Sequence, residues 1–128
     1  GTATYGASIG VDFGYSTTSG GYPGNTATSY AYIETGSKFT NSSATAYGSS
    51  YTDNDVIGVA LDLDAGTLVF YKNGVSQGTA FSGLSGTAFP FLGARSGSGT
   101  EVLVANFGQR PFAYTPPTGF VALNTYNL

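Results

Sequence analysis

The chain has 128 residues, of which 41% are hydrophobic and 15% aromatic, enough for one domain that buries roughly two-thirds of its unfolded surface without a metal or disulfide. Only 9% of residues are charged and the net charge is −3, so no basic stripe exists to neutralise phosphates or anionic lipid, and nucleic acid is excluded as a direct partner. The chain has neither Cys nor His, which removes disulfide scaffolds, thiolate zinc sites, thiol nucleophiles and the Ser-His-Asp triad, and no apolar run approaches the ~18 residues a membrane-spanning helix needs.

Strand signals dominate from the first residues, and sustained helical periodicity is missing. Ala7-Ser8-Ile9-Gly10-Val11-Asp12-Phe13 alternates and reads as a half-buried strand. Residues 14–29 form a long Gly/Ser/Thr/Tyr-rich loop with a turn at Tyr22-Pro23-Gly24-Asn25. Ser29–Glu34 is a short strand, Thr35-Gly36-Ser37 a turn, and Lys38–Asn41 another short strand. Residues 42–54 read as a second polar loop, carrying Tyr47 and Tyr51. Asn41-Ser42-Ser43 matches a glycosylation triplet, a pattern frequent by chance in so Ser-rich a chain.

Val56–Leu63 is a nearly continuous apolar strand, Asp64–Thr67 a turn, and Leu68–Tyr71 the returning strand. Asn73-Gly74 then marks a type I′ hairpin, whose two central residues both need positive φ. Val75–Ala80 opens a third strand, Ala88–Ala94 is an apolar segment, and Glu101–Phe107 alternates again. From Gln109 onward, Pro111, Pro116 and Pro117 forbid a central strand, and residues 109–128 read as an extended segment wrapping one end of the core. The whole of 1–128 forms one all-β domain.

The stretch Asn54-Asp55-Val56-Ile57-Gly58-Val59-Ala60-Leu61-Asp62, followed by Gly66-Thr67-Leu68-Val69-Phe70-Tyr71-Lys72-Asn73-Gly74, resembles the central motif of SPRY domains. Ser8–Val11, Phe89-Pro90 and Val104–Gly108 resemble that family's flanking strands. The resemblance covers about residues 7–112 and implies a concanavalin A-like β-sandwich of two antiparallel sheets, generally a non-enzymatic module that binds peptides or proteins with the loops at one end. The family's opening Trp-containing strand has no counterpart here. That strand is expected elsewhere in a longer polypeptide, or supplied by another subunit, and a chain beginning at Gly1 fits a processed product or a piece of a longer protein. The low-charge Ser/Thr/Gly/Asn texture looks like the SPRY-type modules of phage tail and fibre proteins.

Little in the chain suggests chemistry. Asp62 and Asp64 stand two apart, as a glycosidase pair might, but Asp64 opens a turn and Asp62 matches a position the family keeps as a structural aspartate. Asp53, Asn54 and Asp55 offer oxygen atoms to Ca²⁺ without the Gly and distal Glu of an EF-hand, and a solvated turn is the better reading. No enzyme activity, cofactor or metal is expected. Tyr15, Tyr22, Tyr30, Tyr32, Tyr47 and Tyr51 cluster in or beside the two long loops, where about half should cap the core and the rest present a recognition surface. The ligand-binding candidates are Tyr15, Tyr22, Asn25, Tyr47, Tyr51 and Arg95, the last able to anchor a partner carboxylate.

These features point to a non-catalytic structural or recognition module, in a virion or tail-fibre protein that assembles with copies of itself or binds a host surface. The alternative is a lectin-like, carbohydrate-binding module of an extracellular protein. Partners are proteins, further copies, or a host-surface glycan.

Overall fold

A computed structural model of the chain describes residues 6–14, 22–94 and 103–123. Eight strands follow one another: β1 (Ala7–Asp12), β2 (Ser29–Ile33), β3 (Ser37–Thr40), β4 (Ser43–Ala46), β5 (Ile57–Asp62), β6 (Thr67–Lys72), β7 (Val75–Phe81) and β8 (Phe89–Ala94). They make two antiparallel sheets, one of five strands in the order β4-β3-β2-β1-β8 and one of three in the order β5-β6-β7. The expected all-β, two-sheet sandwich is the observed architecture.

Local sequence explains most of these elements. Alternation in β1 turns Ala7, Ile9 and Val11 toward the second sheet, in register with Tyr30 and Tyr32 of β2. Asn73 and Gly74 take φ of 49° and 81°, so the hairpin between β6 and β7 is the tight one its dipeptide demands. The core between the sheets is built on Tyr32, Leu68 and Phe70, all fully buried. Tyr32 meets Phe70 with ring centres 5.4 Å apart, and Tyr51 at 4.9 Å. Lys38 Nζ crosses the sandwich to donate to the Ala80 carbonyl at 2.9 Å, and Tyr30 packs on Phe81 at 4.9 Å. These contacts set β7 over β3 and β2, and β6 over β2. The strand order then carries β5 toward β1 and β8.

The five-stranded sheet is covered on its outer face as well. Residues 22–28 fold back across it: Tyr22 stacks on Phe39 at 6.0 Å, and Ala31, Ile33 and Phe39 form a second buried cluster. The Ser8 hydroxyl donates to the Pro23 carbonyl at 2.6 Å, and the Gly24 N–H donates to the Ser29 hydroxyl at 2.9 Å. The buried Asp12 carboxylate closes the base of the loop, accepting from the Gly14 N–H and the Thr28 hydroxyl.

Two expectations are corrected. Residues 42–54 were expected as loop throughout, but Ser43–Ala46 pairs with β3 as a four-residue edge strand across a turn at Asn41 and Ser42, both at positive φ. Its small, exposed, uncharged side chains give no alternation to read. Conversely, the described part of the expected strand 101–107 belongs to neither sheet. Alternation marks which residues share a face and does not by itself supply a pairing partner. Here the segment folds on itself instead: Asn106 Nδ2 donates to the carbonyls of Arg110 and Pro111, and Gln109 Nε2 donates to that of Ala105.

Beyond Gln109 the described residues form no strand, and they lie against the three-stranded sheet. Tyr114 sits beside Gly74 at one end, and Thr118–Val121 lie beside Leu61–Asp64 at the other.

Candidate protein-binding surface

The β4–β5 connection, residues 47–56, is held from both sheets. Its N-terminal part hangs on the β2–β3 turn: the Tyr47 and Gly48 N–H groups donate to the Gly36 carbonyl, and the Tyr51 N–H to that of Glu34. Side chains complete the clamp. The Tyr47 hydroxyl donates to the Gly78 carbonyl and accepts from the Phe70 N–H, while the Tyr32 hydroxyl donates to the Ser49 carbonyl. Gln77 Oε1 accepts the Ser49 N–H at 2.9 Å, and Lys72 Nζ donates to the Ser50 carbonyl at 2.9 Å.

The C-terminal part of the connection is closed by Asn73. Its Oδ1 accepts the Val56 N–H at 2.8 Å, its Nδ2 donates to Asp55 Oδ1 at 2.8 Å, and its own N–H donates to the Val56 carbonyl at 2.8 Å. Asp55 Oδ2 accepts the Thr52 N–H at 2.8 Å and lies 3.8 Å from Lys72 Nζ. The bond from Asn73, then that from Thr52, with Lys72 adding to them, holds the Asp55 carboxyl below its ordinary value. Burial beside Tyr47 and Asp55 raises Tyr32 above the usual tyrosine value.

The result is a loop whose backbone is fixed while Thr52, Asp53 and Asn54 stay exposed, Asn54 at φ 70°. Beside it lie the exposed apolar side chains of Val56 and Val75, with Tyr114 standing over the hairpin. Fixed polar backbone, an aromatic ring and exposed aliphatic groups are the components of a recognition surface rather than of an active site. No cluster of three or more acidic residues able to hold a metal occurs among the described residues. The Asp53–Asp55 oxygens serve the turn, and the Asp62 carboxylate accepts the N–H groups of Asp64 and Ala65 at 3.0 Å. The turn there is capped by Asp62, not by Asp64 as the sequence had suggested.

The six sequence candidates do not converge. Tyr51 is a core residue: it is 9% exposed and its hydroxyl faces the carbonyls of Ala7 and Tyr32 at 3.0 and 2.7 Å. Tyr47 is half-buried, with its hydroxyl engaged as described. Tyr22 lies on the outer face of the five-stranded sheet, and Asn25 belongs to the same loop, where its carbonyl accepts the Ser42 hydroxyl at 2.9 Å. Tyr15 and Arg95 lie outside the described residues. Sequence reasoning missed Asn73 as the fastener of the surface. The Asn-Gly dipeptide marked its backbone, and nothing marked its side chain.

Fold and surface together define a two-sheet antiparallel sandwich with a rigid loop surface and no catalytic constellation among the described residues. Residues 5–110 match the model of the SPRY domain, and the chain belongs to the SPRY domain family, a class of protein-interaction modules. The chain is 44% identical over 85 residues to the E3 ubiquitin-protein ligase RKP of Arabidopsis thaliana, a match covering 65% of this chain and 7% of that one. It is 34% identical over 114 residues to Ran-binding protein 9 of Xenopus tropicalis, covering 89% of this chain and 19% of the relative. Ran-binding protein 10 of Danio rerio is 37% identical over 94 residues, covering 72% and 15%. The chain thus spans less than a fifth of each of these relatives. All three are eukaryotic and lend no support to the phage-type context that the low-charge, Ser/Thr/Gly-rich texture suggested.

Proposed function

We infer that this domain is a non-catalytic protein-interaction module that binds its partner with the 47–56 loop and the adjoining β6–β7 hairpin. The observation that carries this reading is the clamping of the loop backbone by Tyr47, Gln77, Lys72 and Asn73 while Thr52, Asp53 and Asn54 face solvent. A loop already ordered before binding loses little entropy on contact. Affinity purification from cells that express the protein tests it, comparing the wild type with Thr52→Lys and Val75→Glu. Loss of the same bound proteins in both variants, with melting unchanged, supports the surface. An undiminished set of bound proteins overturns it.

A glycan ligand is the second reading, resting on Tyr22 and Asn25 at the 22–28 loop, and hits on a glycan array that disappear in Tyr22→Ala would favour it. Self-assembly in a virion or tail fibre, or an extracellular location, has only the low-charge composition behind it, and the relatives lend it no support.

A further inference from the structure

Asn73-Gly74 is the one place in the sequence where glycine follows asparagine. Glycine has no Cβ, so no side chain of its own hinders its backbone nitrogen from approaching a carbonyl carbon nearby. Hydroxide takes the Gly74 N–H proton and the nitrogen adds to Asn73 Cγ. The Cγ–Nδ2 bond breaks, and ammonia leaves with a proton from water. Water then opens the cyclic imide at either of its carbonyls. Breaking the new bond at Cγ gives aspartate, and breaking the original peptide bond to Gly74 gives isoaspartate, with the chain rerouted through Cγ. Water and hydroxide are the co-reactants.

In the closed loop the Asn73 amide is tied at both ends. Oδ1 accepts the Val56 N–H, and Nδ2, the leaving group, donates to Asp55 Oδ1, each at 2.8 Å. Turning the amide onto the Gly74 nitrogen breaks these bonds, so the reaction waits for a local opening of the 47–56 loop. The backbone accepts the product, since aspartate tolerates a φ of 49° as asparagine does. The obstacle is the side chain: an oxygen takes the place of Nδ2 opposite Asp55 Oδ1, and two carboxylates so close do not both stay ionised. Asn73 is also the first of the groups that hold the Asp55 carboxyl below its ordinary value, ahead of Thr52, and deamidation exchanges that donor for an acid.

We propose that Asn73 is a deamidation site, shielded while the 47–56 loop is closed, and that its aspartate product holds the loop open at neutral pH by facing Asp55. The charged and titratable groups around the two carboxyls are Lys72 of β6, Asp53 in the loop, Tyr32 of β2, and Tyr114 beside Gly74. Lys72 offsets one carboxylate and not two, Asp53 adds to the repulsion, and the tyrosines stay neutral below about 10. In acid, one proton shared between the carboxyls rebuilds the bond and the loop closes again. The surface thus carries a one-way chemical timer set by how often its loop opens. The effect on partners rests on the reading of 47–56 as the binding surface; the reaction itself does not.

Mass spectrometry of the peptide spanning Asn73 and Gly74 follows the reaction in protein kept in mildly alkaline buffer. Exchange of NH2 for OH should accumulate there, about tenfold or more slowly in native buffer than in urea that unfolds the chain. Asn73→Asp supplies the product directly. Protection of the Thr52 and Val56 amides from hydrogen exchange should fall about tenfold or more in this variant at neutral pH, and return in acid. Asn73→Ala loses the same bonds and should show no such return. Asp55→Asn added to Asn73→Asp swaps donor and acceptor, and should restore protection at neutral pH even if the single variant fails to fold. The proposal is overturned by any of four results: no mass gain at Asn73 in urea, equal rates in native buffer and urea, wild-type protection in Asn73→Asp at neutral pH, or no rescue by acid or by Asp55→Asn. Partner capture is read separately. An open loop in Asn73→Asp that keeps every partner removes the loop surface and leaves the reaction standing.

Discussion

The Asn73 side chain joins Asp55 to the β6–β7 hairpin, donating to the carboxylate at 2.8 Å while accepting the Val56 N–H at the same distance. One residue at φ 49° therefore sets a turn and closes a loop. Asn73→Ala removes both side-chain bonds and leaves a residue that tolerates positive φ poorly, for an expected loss of about 2 kcal/mol. Urea denaturation measures it, and a loss too small to resolve would show that the loop is held from the Gly36 side alone.

The same contact makes acid stability depend on Asp55. Its folded carboxyl is lowered, chiefly by Asn73 and then by the Thr52 N–H, so its contribution is present above the unfolded value of about 3.9 and is lost as pH falls through the folded one. Asp55→Asn should flatten the acid limb of the stability curve while leaving its alkaline limb unchanged. Equal acid sensitivity in wild type and variant would remove Asp55 from the account. At the alkaline end, Tyr32 is raised by burial, so its contribution is complete below about 10 and is lost as pH rises through the folded value.

Tyr51 separates stability from binding. Tyr51→Phe keeps the ring against Tyr32 and removes the hydroxyl facing two buried carbonyls, for an expected cost of about 1–3 kcal/mol. Partner binding per folded molecule should not change. A selective loss of binding with normal melting would return Tyr51 to the recognition surface.

Gly74 is constrained twice. Its φ is 81°, and a Cβ there would lie 2.6 Å from the Tyr114 ring. Gly74→Val should lower the melting temperature markedly, since a β-branched residue is strained at positive φ. Adding Tyr114→Ala should recover part of the loss, and a double-mutant cycle measures how much. Strict additivity would mean that the 109–123 segment does not rest on the hairpin in solution.

Much of the fold was legible because its signals are local. The Asn73-Gly74 turn, the alternation of Ala7–Phe13 and the apolar run through Leu61 each state their own geometry. What escaped depends on distant parts of the chain. Tyr51 looks like a loop residue until the β2–β3 turn draws its backbone inward. Ser42 at φ 58° gives no sign of a turn, because serine seldom adopts that conformation. Leu103–Phe107 alternates like a strand, but Asn106 and Gln109 tie it to its own neighbours, and no window of sequence shows which bonds win. The candidate surface was half visible: residues 42–54 stood out as a polar loop, but the stiffness of 47–56 comes from Lys72, Asn73 and Gln77, which read as ordinary hairpin residues.

The packing of residues 22–28 against the outer face has a practical consequence for anyone reshaping this domain. With Pro23 bonded by Ser8 and Tyr22 stacked on Phe39, that loop is a third layer of the architecture. Its length and composition are set by the sheet beneath, and randomising it would unroof a hydrophobic cluster. The β7–β8 connection offers the opposite. There the side chains of Ser82, Ser85 and Thr87 are exposed, while Gly83 and Gly86, at φ 70° and 107°, hold the backbone and are best left as glycine. A library intended to give this sandwich a new specificity belongs there.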